Sequence, residues 1–332
     1  MKNKFKIAIS LILCLLILGG CTSPREDGGS PSGTVSPETT APAKTDHDPA
    51  PTVTDEITEP PLVFAKDPLE LELSAPQAFV YNLDKDEFLY LKGEGEHLYP
   101  ASTTKLLTIT YAMTLLSPDE LITPGDELDL VGEFSTYAYV RPNHTLTAEM
   151  LIEGMLLPSG NDAAHVLAAA AGRKLSDDKN ISGADAVGLF VEGMNEYANT
   201  IGMDGSHFVS PDGYPNDDHY STVEDMAQIA VIAAKNELIT KYSRLLRDDV
   251  TYASGHINTW TNTNKLLDPN SGYYSPYVTG LKTGSAGEGN YSLIVSANIE
   301  GVTYVFGFFS EEKADTRFAD ALIVIRALED RL

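Results

Sequence analysis

Three short stretches of the chain hold residues whose types and spacing could do chemistry together. The first is Ser102-Thr103-Thr104-Lys105, within YPASTTKLLT. Residues three apart on a helix are neighbours on one face, so a hydroxyl and an amine there can exchange a proton. The Ser102 amide would then lie at a helix N-terminus, where unpaired N–H groups and the helix dipole favour a developing negative charge. An ordinary exposed lysine on a first helical turn has the same spacing. The almost purely apolar residues that follow argue instead for a buried helix, and burial lowers a lysine's pKa so that it can be neutral and accept a proton.

The second stretch is Ser159-Gly160-Asn161, between two apolar segments. It reads either as a simple connection with a capping asparagine or as a hydroxyl and a carboxamide placed in a cleft, to relay a proton and hold a substrate amide. The third is Lys282-Thr283-Gly284, on a segment that reads as a strand from about Val278. A lysine on an edge strand is a common guard against aggregation. Alternatively, the cation and hydroxyl would take a substrate carboxylate, with Gly284 letting a substrate backbone lie close to the strand. No Gly-x-Ser-x-Gly elbow, His-Glu-x-x-His pair or Gly-rich phosphate fingerprint is present. The seven histidines are scattered and read as surface or packing residues.

The elements that must position these residues begin well inside the chain. MKNKFK, then IAISLILCLLIL, then small residues leading to Cys21 have the layout of a secretory signal peptide over residues 1–21. Leu18-Gly19-Gly20-Cys21 resembles the bacterial lipobox, which makes Cys21 the expected lipidation site. The other cysteine, Cys14, falls in the segment to be removed, so no disulfide, thiolate nucleophile or cysteine metal site is expected. Residues 22–61 are dense in Pro, Thr, Ser and acids, and read as a disordered tether. The remaining residues, 62–332, are expected to form one domain. With 48 acidic against 23 basic residues and a net charge of −25, the chain lacks the basic surface a nucleic-acid binder needs.

AFVYNLDKDEFLYLKG reads as a hairpin, and Ser102 to Leu116 as a helix apolar nearly all round. Further helices are expected over Thr147–Leu157, Asp162–Ala171, Ala184–Ile201 and Thr222–Lys235. TGLKTG, YSLIVSANIEG and VTYVFGFFS read as three consecutive strands, and residues 314–331 as a closing helix. Strands at both ends with helices between suggest an α+β domain whose sheet joins its two ends and packs against a helical cluster.

Ser-x-x-Lys, Ser-x-Asn and Lys-Thr-Gly in this order are the signature set of serine penicillin-recognising enzymes. With LLPSGNDAA, HFVSPDGYPNDDHYSTVEDMAQIA, NTNKLL and GLKTG, the chain from about Ala75 onward resembles the serine-type D-alanyl-D-alanine carboxypeptidases, the low-molecular-mass penicillin-binding proteins. The resemblance implies a β-lactamase/transpeptidase-like fold with an antiparallel sheet. It implies Ser102 as nucleophile on the carbonyl between two terminal D-alanines of a peptidoglycan stem peptide, and β-lactam antibiotics as inhibitors. Lys105 would be the base, its pKa lowered by burial and by the charge of Lys282. Ser159 would pass a proton to the leaving nitrogen and Asn161 would orient the substrate amide. Lys282 and Thr283 would bind the terminal carboxylate, with the amides of Ser102 and Ser285 as oxyanion hole. No metal or cofactor is implied. Many family members add a β-rich domain and an amphipathic anchor; here a lipid at Cys21 would be the membrane attachment, outside the cytoplasm. A β-lactamase shares all three stretches, but no Glu-x-x-Leu-Asn is present and Ser-Gly-Asn favours the peptidase. A non-catalytic β-lactam sensor or wall-binding lipoprotein is the remaining alternative.

Overall fold

The computed structural model describes residues 62–178 and 180–331. The expected signal peptide, Cys21 and the tether lie outside the described residues. Strands β1 (Gln77–Asn82) and β2 (Glu87–Lys92) form the expected hairpin, and β7 (Val278–Ser285), β8 (Tyr291–Ile299) and β9 (Val302–Glu311) the three late strands. All pair antiparallel in the order β2-β1-β9-β8-β7, so β9 lies directly against β1 and the sheet joins both ends of the domain.

Successive side chains of a strand point to opposite faces, and here both faces are covered. Phe79, Leu281, Ile294, Val305 and Phe309 face the helical block. Val80, Val295, Phe306 and Phe308 face the opposite way, against α7 (Thr316–Glu329) through Phe318, Ala321 and Val324. Double coverage explains the unbroken apolar run VTYVFGFF, which needs no polar alternation. The helical block comprises α1 (Lys105–Leu115), α2 (Ala148–Leu156), α3 (Asn161–Leu175), α4 (Gly183–Thr200), α5 (Val223–Lys235) and α6 (Glu237–Ser243).

Helix starts follow their capping chemistry. Thr147, Ser182 and Thr222 each accept a hydrogen bond from the amide three residues on. α1 is buried over its first two turns, Lys105 to Ala112, as its apolar composition requires. α3 runs one turn longer than expected, to Leu175, because Arg173 bonds to Glu127. Helix α6 and a small hairpin of β5 (Arg247–Thr251) and β6 (Ile257–Thr261) escape the sequence reading. Two-residue strands β3 (Leu121–Ile122) and β4 (Leu146–Thr147) pair ahead of α2.

Candidate active site

Ser102 sits on a 3₁₀ turn, Ala101–Thr104, that runs into α1. The turn begins with Ala101 in a left-handed backbone, φ 50°, a conformation that costs an L-residue about 1–2 kcal/mol. Two glycines press the turn into place. A Cβ on Gly284 of β7 would lie 2.9 Å from Pro100 O, and one on Gly213 would lie 1.9 Å from Ala101 O. The space that the sequence reserved for a substrate backbone at Gly284 is therefore also where the chain's own Pro100–Ala101 turn packs.

Lys105 lies on the next helical turn and is fully buried, which removes the exposed-lysine reading. Its Nζ donates to Ser102 Oγ at 2.9 Å, Asn161 Oδ1 at 2.8 Å and the Asp212 carbonyl at 3.0 Å. Two of these acceptors cannot donate a hydrogen. A neutral amine here must therefore spend its two hydrogens on Asn161 and Asp212, which turns its lone pair toward Ser102.

Ser159 and Asn161 bridge α2 and α3. Ser159 is left-handed, φ 64°, and its carbonyl accepts from Thr136 Oγ1 at 2.6 Å. Asn161 opens α3 and donates from Nδ2 to Ser135 Oγ at 2.9 Å. The neighbouring Asp162 carboxylate accepts from the amides of Ala138 and Val140, both at 2.8 Å, and Trp260 Nε1 donates to Ala138 O at 2.9 Å. These bonds pin the loop whose residues Glu133 to Thr136 line one side of the cleft.

β7 is an edge strand, yet its lysine is not a solvated guard. Lys282 is 1% exposed, with Nζ bonded to Ser159 Oγ at 2.8 Å and to the Thr283 carbonyl at 2.9 Å. Thr283 Oγ1 meets Thr263 Oγ1 at 2.5 Å. Thr283, Gly284 and Ser285 line a cleft of about 480 Å³ together with Ser102, Ser159 and Asn161. Arg317, from the first turn of α7, lines it too and donates to the carbonyls of Gly284 and Ser292.

Burial pushes the Lys105 amine down to about 8, against the opposing pull of the Asp212 and Asp162 carboxylates. Lys282 is pushed well below the usual lysine range, by burial first and then by the positive charges of Lys105 and Arg317. Of the two causes the sequence expectation names for Lys105, burial is the one that brings its amine down. Burial likewise brings Arg317 down to about 10.

The sequence-predicted residues Ser102, Lys105, Ser159, Asn161, Lys282, Thr283, Gly284 and Ser285 thus converge on one cleft. Sequence reasoning missed Arg317, Asp212 and Thr263. Thr263 and Asp212 fall inside NTNKLL and SPDGY, which were read as whole motifs, whereas no local signal marks Arg317. Of the histidines, His219 is buried with Nε2 2.9 Å from Thr104 Oγ1, and His165 is buried beside Asp212.

The family model for D-alanyl-D-alanine carboxypeptidase matches residues 63–307. A D-alanyl-D-alanine carboxypeptidase of Bacillus subtilis is 30% identical over 264 residues, 76% of this chain and 63% of the relative. One from Streptomyces strain K15 is 30% identical over 261 residues, 75% of this chain and 85% of the relative. The chain therefore spans less than two thirds of the Bacillus relative's length but most of the Streptomyces one. The crystal structure of the Streptomyces K15 DD-transpeptidase superposes with a TM-score of 0.69 at 27% identity, covering 80% of this chain and 100% of that one. Penicillin-binding protein D2 of Listeria monocytogenes, in an ampicillin-bound form, gives 0.62 at 26% identity, covering 78% and 99%. The chain belongs to the D-alanyl-D-alanine carboxypeptidase family of serine peptidases, with the β-lactamase/transpeptidase-like α+β fold.

Proposed function

We propose that this member of the D-alanyl-D-alanine carboxypeptidase family removes the terminal D-alanine from peptidoglycan stem pentapeptides through an acyl-enzyme on Ser102, and that penicillins acylate the same serine. The observation that carries this reading is the hydrogen bonding of Lys105, which leaves its lone pair facing Ser102 Oγ. A serine hydroxyl attacks a carbonyl only when a base takes its proton, and an amine with a pKa near 8 is neutral often enough to do so.

Ser102 Oγ bonds to the carbonyl carbon as its proton passes to Lys105 Nζ. The oxyanion is held by the amides of Ser102 and Ser285, the kind of donor whose loss costs about 10²–10³-fold. As the C–N bond breaks, the D-alanine nitrogen takes a proton from Ser159 Oγ, which Lys282 contacts at 2.8 Å, and the proton taken up by Lys105 restores the Ser159 hydroxyl. Water then bonds to the ester carbonyl carbon as one of its protons passes to Lys105, and that proton returns to Ser102 Oγ as the ester C–O bond breaks. Asn161 orients the scissile amide, and the terminal carboxylate is met by Thr283, Lys282 and Arg317. Burial lowers the proton affinity of Lys282, and an arriving carboxylate raises it.

The same reading includes a lipid anchor at Cys21 after removal of residues 1–21, and residues 22–61 as a tether holding the domain 62–332 in the wall, outside the cytoplasm. Among the described residues no helix is long and apolar enough to cross a membrane. The test is incubation with purified muropeptides, read by mass, alongside labelling with a fluorescent penicillin. We expect pentapeptide to lose one alanine, and Ser102→Ala to abolish both release and labelling. Labelling of Ser102→Ala would overturn the nucleophile, and rapid turnover of the penicillin would favour a β-lactamase. Radiolabelled palmitate that fails to enter the intact protein in a bacterial host would remove the anchor.

A further inference from the structure

A second cleft, of about 560 Å³, opens behind the catalytic helix between α4 and the segment 207–214. Val187, Val191 and Phe208 give its lining apolar surface, and His165 of α3 and Asp212 line it as well. His165 Nε2 lies 3.4 Å from Asp212 Oδ2, and both side chains are buried, at 7% and 0% exposure. Among the described residues, His165 Nδ1 has no hydrogen-bond partner. The mechanism above uses neither side chain.

Asp212 is nevertheless tied to the reaction centre through its own backbone. Its Oδ1 accepts from Ser210 Oγ at 2.7 Å and from the Tyr214 amide at 3.0 Å, which folds the turn so that the Asp212 carbonyl faces Lys105 Nζ. One residue therefore supplies both a hydrogen-bond acceptor and a buried negative charge to the proposed base. We propose that His165 and Asp212 act as a positioning pair for Lys105: the carboxylate builds the turn and sets a buried negative charge near the amine, and His165, packed beside the carboxylate, keeps it in place. This rests on the reading of Lys105 as base for Ser102.

Other charged groups face the same amine. Asp162, next to the Lys105 partner Asn161, also favours its protonation. Lys282 on β7 faces it from the sheet side. His219, bonded to Thr104, is held down to about 4 by burial, and so is neutral in the range that matters. His207 and Glu192 lie at the cleft's outer wall.

The test is the acidic limb of the penicillin acylation rate against pH, measured on the full chain with folding checked by thermal melting. Asp212→Asn keeps an acceptor for Ser210 and Tyr214 but removes the charge, so the limb should move to lower pH by roughly one unit. His165→Ala frees the carboxylate to turn away from the amine, so the limb should move in the same direction as in Asp212→Asn, and added imidazole, which the cleft has room for, should return it. A residue that only supports the fold would lower the rate equally at every pH. Either variant with an unmoved limb overturns the proposal. A limb that stays displaced in His165→Ala despite imidazole assigns the shift to a collapsed cavity and overturns the role of His165. Failure of the wild-type chain to label would strike the underlying reading instead.

Discussion

The helical wall of the cleft and its sheet wall each bury one lysine, and the two lysines are not equivalent. Lys105, on α1, meets two carbonyl oxygens and lies in the field of the Asp212 and Asp162 carboxylates. Lys282, on β7, meets a hydroxyl and a carbonyl and lies in the field of two cations. Burial is the same for both and disfavours the charged form. The neighbours act with opposite sign: the carboxylates oppose the fall of Lys105, which settles near 8, and the cations add to that of Lys282. The helical side thus holds an amine poised close to neutral pH. The sheet side holds an amine whose proton affinity an arriving anion would raise. Residue type and depth alone would make the pair interchangeable.

The largest expected effect is at Lys105. Lys105→Met should slow acylation by about 10²–10⁴-fold, and the pH dependence should disappear with it. In the wild type the neutral amine is the active form. Its fraction grows as pH rises, so acylation should climb about tenfold per pH unit below the pKa and level off above about 8. Stopped-flow labelling with a fluorescent penicillin reads both. Lys282→Met sharpens the comparison: it should also be slow, but its limb should remain near 8, because burial and the Asp212 and Asp162 carboxylates set the Lys105 amine. A limb that moves strongly in Lys282→Met would show that the two lysines repel as a charged pair, and the contrast would collapse.

A smaller effect is expected at Arg317→Leu. Loss of a charge-assisted contact of about 1.5–3 kcal/mol corresponds to roughly 10–100-fold in kcat/KM for a peptide with a free C-terminal carboxylate. The same peptide as its terminal amide should change much less, and an equal loss on both would deny Arg317 a part in carboxylate binding. The smallest is at an exposed lysine. Lys265 pairs with Asp315 at 2.5 Å with both side chains about half exposed, so Lys265→Ala should alter stability by only about 0–1 kcal/mol in urea melts and leave acylation unchanged.

Much of this was legible before any fold was known, and the parts that were not have physical causes. β8 and β9 announce themselves as apolar runs, and the starts of α2, α4 and α5 are fixed by Thr147, Ser182 and Thr222. The β5–β6 hairpin was invisible because each strand fully buries a single residue, Val250 or Trp260, too little to print a period of two. α6 is seven residues long, too short for a helical period to show. Arg317 was missed because a lone arginine early in an amphipathic helix looks like surface. Only the packing of α7 across β8 and β9, which lets Arg317 reach the carbonyls of Gly284 and Ser292, brings it to the cleft.

The sequence by itself determined the family and the three stretches with their spacing, because local chemistry such as Ser102 and Lys105 one helical turn apart is written in residue order. The tertiary structure alone decided what each lysine faces. Lys105 and its carbonyl partner Asp212 are 107 residues apart in the chain, and Lys282 and Ser159 are 123 apart. An amine's proton affinity depends on the charges and dipoles around it, and those came together only when the helical block closed against the edge of the sheet.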